Sequence, residues 1–154
     1  MFSKEESKEH NLIFWNGFNT YMTKIRSSNG RKINWLNYPS DAKTIFIRLE
    51  VDAKSSKLCF DIQHKDDDLR AIIYEQMTEL KMVMEEITIE EPQWIENYYY
   101  LNKQYISRIC WETKSFNFHK DEDQHKIYDY LKEKLIRFDK FYQEYKEILI
   151  ALTN

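Results

Sequence analysis

The chain has 154 residues, a formal net charge of -3 at pH 7 and an aromatic content of 16%. This length is typical of one domain with a substantial core, and the aromatic content argues against a disordered chain. The balanced charge excludes a general electrostatic attraction to nucleic acid or anionic membranes, so any binding to a polyanion has to be local.

The N-terminus and the two cysteines bear on location. Residues 1–10 are mostly polar and carry no apolar leader segment, and no stretch reaches the ~18 apolar residues that span a bilayer. Cys59 and Cys110 lie in strand-like segments, which is typical of reduced core thiols. We therefore expect a cytoplasmic protein with no membrane contact.

The first half of the chain predicts a helix, an irregular segment and a hairpin. Ser3 opens a capping box, and apolar residues then recur at helical intervals, which predicts a helix over 3–27. Gly17 within it indicates a close approach by another element. Residues 28–43 show no clear period, whereas strict alternation over 44–65 predicts two half-buried strands in a hairpin.

The second half predicts two helices and further strands. Asp66 to Asp68 offer an N-cap and first-turn carboxylates, and an apolar stripe that includes Leu69 and Ile72 follows. Together they predict a helix over 66–86, packed on the apolar face of the hairpin. Two or three extended runs occupy 93–118, and a continuous apolar stripe predicts a long helix over 121–152. The order α-β-β-α-β-β-(β)-α predicts a single α+β domain. Its sheet is antiparallel or mixed, with four or five strands, and the helices pack on one side.

Several ligand classes lack their sequence signature. The chain has only two glycines, so it cannot contain a P-loop or a dinucleotide-binding fingerprint. Its four histidines are spaced too widely for a helical metal site, and no nucleophile elbow is present. The favoured interpretation therefore includes no cofactor and no bound metal.

The polar face of the predicted hairpin is the first candidate site. The side chains that collect there are Glu50, Asp52, Asp61, Gln63 and Lys65. Carboxylates and a lysine on two adjacent strands can hold a divalent cation and orient a water. The alternative is a solvated sheet face, on which Arg48 pairs with Asp61 or Glu50, depending on register. Phe46 and Cys59 share this face, so we expect a helix or a second chain to cover part of it.

The irregular segment is the second candidate site. No acid precedes Asp41 in a run that contains Lys24, Arg26, Arg31, Lys32, Trp35 and Tyr38. Cations beside aromatic rings suit a phosphate backbone with stacked bases, or an acidic protein surface. The alternative is that Trp35 and Leu36 fill the core while the cations stay solvated. Glutamates cluster between residues 85 and 96, so contact between a basic and an acidic patch would also support self-association.

Three consecutive tyrosines, Tyr98 to Tyr100, place aromatic rings on both faces of one predicted strand. If the rings are exposed, they suit a binding surface. If they are buried, β-propensity and core packing explain them.

Four short sequence segments carry a family resemblance: Gly30-Arg-Lys-Ile-Asn-Trp-Leu-Asn-Tyr-Pro39, Ile47-Arg-Leu-Glu-Val-Asp52, Asp61-Ile-Gln-His-Lys-Asp-Asp-Asp-Leu69 and Tyr74-Glu-Gln76. In the residues, order and spacing of these segments, the chain from about Asn11 to the last helix resembles the bacterial family called domain of unknown function 4268. The resemblance implies no established activity. It implies a context, since such a domain stands beside restriction-type or nuclease-like segments in some bacterial proteins.

That context makes the PD-(D/E)xK nuclease pattern relevant. The pattern needs an acid on one strand and an acid-x-lysine on the next. Asp52 is the candidate first acid and Lys65 the candidate lysine, but Gln63 stands where the second acid is required. Glutamine binds a cation more weakly than a carboxylate does, which argues against metal-dependent cleavage.

The leading hypothesis is a non-catalytic binding or interaction domain that uses the irregular basic-aromatic segment or the partly covered sheet face to recognise a protein partner or a second copy of itself. Its predicted binding residues are Arg26, Arg31, Lys32, Trp35 and Tyr38. The alternative is a magnesium-dependent nuclease, in which Asp52 and Asp61 hold the metal, Gln63 assists and Lys65 stabilises charge on the phosphate. A third hypothesis is a nucleic-acid binder without chemistry, which the net charge does not favour.

Overall fold

The structure is a computed structural model that describes residues 3–153; Met1, Phe2 and Asn154 lie outside the described residues. Its elements are α1 (Lys4–Met22), β1 (Ile45–Val51), β2 (Ser56–Ile62), α2 (Asp67–Glu79), α3 (Lys81–Thr88), β3 (Gln93–Tyr100), β4 (Gln104–Thr113), a 3-10 turn (Asp121–Asp123) and α4 (Gln124–Thr153). The strands form one antiparallel sheet in the order β1-β2-β4-β3. The predicted α+β class is confirmed.

One face of the sheet carries the core. Ile47, Phe60 and Ile109 are direct neighbours across β1, β2 and β4, and all three are buried. Phe138 and Tyr142 lie one turn apart on α4, so both rings face the sheet, with centroids 5.9 and 6.2 Å from that of Phe60. The alternation predicted for the hairpin is confirmed on this face.

The first helix ends earlier than predicted. α1 ends at Met22 rather than near residue 27. The reason lies on α4, where the Asp139 carboxylate accepts hydrogen bonds from the Ser27 hydroxyl at 2.8 Å and the Ser28 N–H at 2.7 Å. These two bonds hold residues 27 and 28 against α4, outside the helix. None of the helices in the described part of the chain is long and apolar enough to cross a membrane.

The predicted helix over 66–86 is two helices. Leu80, with ψ near 2°, ends α2 and precedes α3. α2 turns Ile73 and Met77, one turn apart, into the core, which leaves Leu69 and Ile72 of the predicted stripe exposed. The predicted N-cap is confirmed, since the Asp66 side chain accepts from two backbone N–H groups of the first turn.

Residues between β4 and α4 also differ from prediction. Residues 114–120 form no strand, and α4 begins at Gln124 after the 3-10 turn rather than at residue 121. Phe118 is buried there as part of an irregular connection.

The expectation for Gly17 is confirmed. A Cβ at this position would clash with the hydroxyl oxygen of Tyr128. That hydroxyl donates to the Phe14 carbonyl oxygen at 2.5 Å, so α1 and α4 meet closely at this glycine.

Candidate functional site

Asp61 is the central charged group on the face of the sheet opposite the helices, here called the open face. It lies on β2 between Phe46 of β1 and Arg108 of β4, and its side chain is fully buried. One carboxylate oxygen accepts from Arg48 at 2.7 Å and from Arg108 at 2.9 Å, and the other accepts from Arg108 at 2.8 Å. Both oxygens are therefore committed to guanidinium groups.

Two more side chains complete this set, here called the open-face network: Arg48, Glu50, Asp61, Gln63 and Arg108. Arg108 reaches both Glu50 oxygens at 3.0 and 3.1 Å, and Arg48 donates to the Gln63 carbonyl oxygen at 2.6 Å. Burial lowers the pKa of Arg108, but its hydrogen bonds to Asp61 and Glu50 raise the pKa by more. The Arg108 guanidinium is therefore charged, as arginine in proteins almost always is. Of the two pairings left open for Arg48, with Asp61 or with Glu50, the structure shows the pair with Asp61.

Aromatic rings flank both arginines. The guanidinium carbon of Arg48 lies 4.7 Å from the ring centroid of Phe46 and 4.5 Å from that of Tyr100. That of Arg108 lies 4.6 Å from the centroid of Tyr98. Such cation–π contacts stabilise a partly exposed guanidinium and fix its plane. The open face is thus an arginine-aromatic surface, on which Phe46 remains 41% exposed.

Cys59 and Cys110 form a buried pair of thiols on the open face. Cys59 lies directly opposite Cys110 on β4, with the sulfur atoms 3.6 Å apart, and both thiols are free and buried. The hydrogen bond to Cys110 and burial raise the pKa of the Cys59 thiol, whereas that same bond lowers the pKa of Cys110. Arg108 lowers and Asp61 raises the pKa of Cys59 to a smaller extent, so both charged groups lie near the pair.

The structure does not bring the residues of the nuclease alternative together. Asp52 lies at the hairpin turn, where one oxygen accepts from the N–H groups of Lys54 and Ser55, both at 2.8 Å. Asp61 faces Phe46, six strand positions from Asp52 and therefore about 20 Å away along β1. Within residues 3–153, no three His, Cys, Asp or Glu side chains are placed to hold a metal ion.

The other two residues of the nuclease alternative, Gln63 and Lys65, do not converge on a common centre either. Gln63 is occupied by Arg48. Lys65 is exposed and lies beyond the end of β2. The donor set around Asp61 is thus cationic, which suits a structural ion pair and opposes a second cation.

The predicted basic-aromatic surface is divided by the fold. Trp35 and Tyr38 are buried; the Trp35 indole N–H donates to the Ile25 carbonyl at 2.9 Å, and the Tyr38 hydroxyl donates to Asp139 at 2.6 Å. This corrects the expectation that both rings belong to an exposed surface. The three cations of the set, Arg26, Arg31 and Lys32, are exposed, so the aromatic half fills the core while the cations stay solvated.

Sequence reasoning missed Arg108. It stands on β4 in alternation with Ile106 and Cys110, which was a signal that the three share a face. Its partners on β1 and β2 depend on the register between β2 and β4, which local patterns do not carry.

The sequence matches the family described as "Domain of unknown function (DUF4268)" over residues 11–146. No curated protein and no solved structure matches the chain. The segments that carry the resemblance include β1 with its turn and the stretch from Asp61 to the start of α2. Because the match covers most of the 154 residues, the chain belongs to the DUF4268 family.

Proposed function

We propose that this chain is a non-catalytic interaction module and that the open face of its sheet is the contact surface for a protein partner. The observation that carries the proposal is the open-face network, in which Asp61 is fully enclosed by two arginines while aromatic rings remain at the surface. Such a face is fixed in shape before any partner arrives.

The charges of this face balance. Its cations are Arg48, Lys57 and Arg108, and its anions are Glu50, Asp61 and Glu112, so three positive and three negative charges sum to zero. Each charge already has a partner on the same face. A docking protein would therefore leave no isolated charge buried, which is the main electrostatic penalty on binding.

The residue types also support a protein contact. Arginine, tyrosine and phenylalanine are enriched where proteins meet, and arginine and tyrosine are frequent binding hot spots. The Phe46 ring rests on Arg48, and the Arg48 guanidinium also contacts Tyr100. Because the groups are held in place, less conformational entropy is lost on binding.

Location belongs to the same proposal. Both thiols of the chain are free although their sulfur atoms lie 3.6 Å apart. A reduced pair this close is typical of a protein that functions in the cytoplasm.

The nuclease and nucleic-acid hypotheses stay predictions. The first is tested by magnesium-dependent cleavage of plasmid DNA, and the second by salt-sensitive DNA binding that weakens in an Arg31→Ala, Lys32→Ala double variant. Asp52 and Asp61 lie far apart, so their positions give the nuclease hypothesis no specific support. Trp35 is buried, so it gives the nucleic-acid hypothesis none.

Site-specific photo-cross-linking tests the proposal. A photoreactive phenylalanine analogue replaces Phe46 on the open face in one variant and Tyr99, 49% exposed on the opposite side of β3, in a control. In extracts of the native host we expect one discrete adduct from position 46 and none from position 99. Purified partner should then bind Phe46→Ala about tenfold more weakly than wild type, and Tyr99→Ala unchanged.

Equal adducts from the two positions would contradict the proposal, as would wild-type affinity in Phe46→Ala. DNA cleavage by the wild-type chain that requires magnesium and disappears in Asp61→Ala would contradict its non-catalytic part.

A further inference from the structure

β1 is the edge of the sheet that is open to another strand. The order β1-β2-β4-β3 leaves β1 and β3 at the edges. β3 carries a register shift between Ile95 and Tyr98, a feature that discourages pairing with a further strand. β1 pairs with β2 from Ile45 to Val51 without interruption. Its outer side is therefore a regular strand edge.

Three residues of β1 direct their backbone groups outward. The Gln63 N–H donates to the Thr44 carbonyl at 2.7 Å, which sets the phase of the ladder with β2. Since hydrogen-bonding direction alternates along an antiparallel strand, Ile47, Leu49 and Val51 point their N–H and C=O groups away from β2. Among residues 3–153, no hydrogen bond to these outward groups is formed.

The start of this edge is closed and the rest is accessible. The Ile45 N–H donates to the Ala42 carbonyl at 3.3 Å, and its C=O accepts from the Ser40 hydroxyl at 2.6 Å. Beyond it, a groove of about 560 Å³ lies between β1 and residues 36–42. Leu49 lines this groove and is only partly buried although it packs on the core.

We propose that β1 pairs with β1 of a second copy of this chain, antiparallel and about a two-fold axis at Leu49. In that register Arg48 faces the partner's Glu50, and Glu50 faces the partner's Arg48. Ile47 faces the partner's Val51 on the core side. The two sheets become one continuous sheet, with both open faces on the same side.

Charge selects this register over its neighbours. A two-fold axis at Arg48 would place two arginines opposite each other, and one at Glu50 would oppose two glutamates. An axis at Val51 would set Glu50 against the partner's Asp52. Like charges directly opposite each other on paired strands are destabilising, whereas opposite charges stabilise the pair. Among these centres, only Leu49 matches each charge with its opposite.

The register with its axis at Leu49 also uses the free N–H and C=O groups of all three outward residues of β1. The one remaining centre, Ile47, would bring a strand against Ile45, whose groups are already bonded. With the axis at Leu49, the three outward residues of each copy exchange six hydrogen bonds across the dyad. The exposed sides of Leu49 and Val51 are covered at the same time. This inference goes beyond the proposed function, because it concerns the strand edge and a second copy rather than the open face and a different protein.

Sedimentation of two matched variants tests the inference. Leu49→Pro removes the outward N–H and blocks the edge but leaves the inward ladder with β2, since an edge proline is tolerated there. Leu49→Ala loses the same side chain and keeps the N–H. From about 10 µM to about 1 mM we expect the mass of wild type and Leu49→Ala to rise from 19.0 kDa towards twice that value. Leu49→Pro should associate at least tenfold more weakly.

Amide hydrogen exchange of the wild-type chain provides a readout that needs no substitution. The Leu49 and Val51 amides should become protected as concentration rises, while the Glu50 amide, which points to β2, should be protected at every concentration. A chain that stays monomeric, or a dimer whose Leu49 amide exchanges freely, would overturn the inference. The cross-link at position 46 tests the proposed function separately, because an adduct with a second copy adds 19.0 kDa whereas an adduct with a different protein adds that protein's mass.

Discussion

Asp61→Ala removes the central carboxylate of the open-face network. The substitution deletes three charged hydrogen bonds of 2.7 to 2.9 Å and leaves buried Arg108 with Glu50 as its remaining carboxylate. Removing one partner of a buried ion pair costs about 3 to 5 kcal/mol of unfolding free energy. Since Arg48 keeps its bond to Gln63 and Arg108 its bonds to Glu50, we expect the lower end, about 3 kcal/mol.

Glu50→Ala is the matched control. The Glu50 side chain is 32% exposed, and in its absence Arg108 still holds both oxygens of Asp61. Solvent screens such a pair, so the expected loss is about 1 kcal/mol. The conservative Asp61→Asn keeps the shape and removes the charge, so it should fall between the two.

Urea unfolding followed by tryptophan fluorescence measures these free energies, and the slope of the transition should be the same in all variants. An Asp61→Ala loss no larger than that of Glu50→Ala would refute the argument. A gain in stability for Asp61→Ala would refute it more strongly, because functional carboxylates are often retained at the expense of stability.

Three further predictions concern single residues. Asp139→Ala should lower the unfolding free energy by about 3 kcal/mol and raise amide exchange across residues 23–44, because it removes charged acceptors that anchor this segment; unchanged exchange would contradict that role. Gly17→Ala should lower the melting temperature despite a helix-propensity gain of ~1 kcal/mol, because the new Cβ meets Tyr128, whereas exposed Asn19→Ala should not. Burial raises the pKa of Asp52, but its backbone donors lower it by more, below 3.8 overall. Its stabilising effect is therefore fully present above this pH and lost as the pH falls and the folded group is protonated, so the loss of stability in Asp52→Asn should be largest at neutral pH and shrink as the pH falls below 3.8.

The hairpin could be predicted because its information is local. Side chains alternate between faces along a strand, so Ile47 and Phe60 could be assigned inward and Arg48 and Asp61 outward from the sequence alone. The short connection between β1 and β2 restricts the register, and the Arg48–Asp61 pair follows from it. The N-cap at Asp66 is local in the same way.

The features that sequence reasoning missed depend on distant partners. Arg108 meets Asp61 across 47 residues, through a β2–β4 register that no turn fixes. Tyr38 is drawn into the core by Asp139, 101 residues away, so its burial has no local signal. The break at Leu80 occurs without proline or glycine, and only the different packing of α2 and α3 reveals it.

Asp61 is committed to its two arginines, and under the proposed function the open face contacts a protein partner and binds no metal ion. Titration of the ¹⁵N-labelled chain with Mn²⁺ tests this directly, since the ion broadens the amide signals near any site it occupies. We predict no selective broadening at Arg48, Asp61 or Gln63. Saturable broadening of these three signals that disappears in Asp61→Asn would contradict the claim.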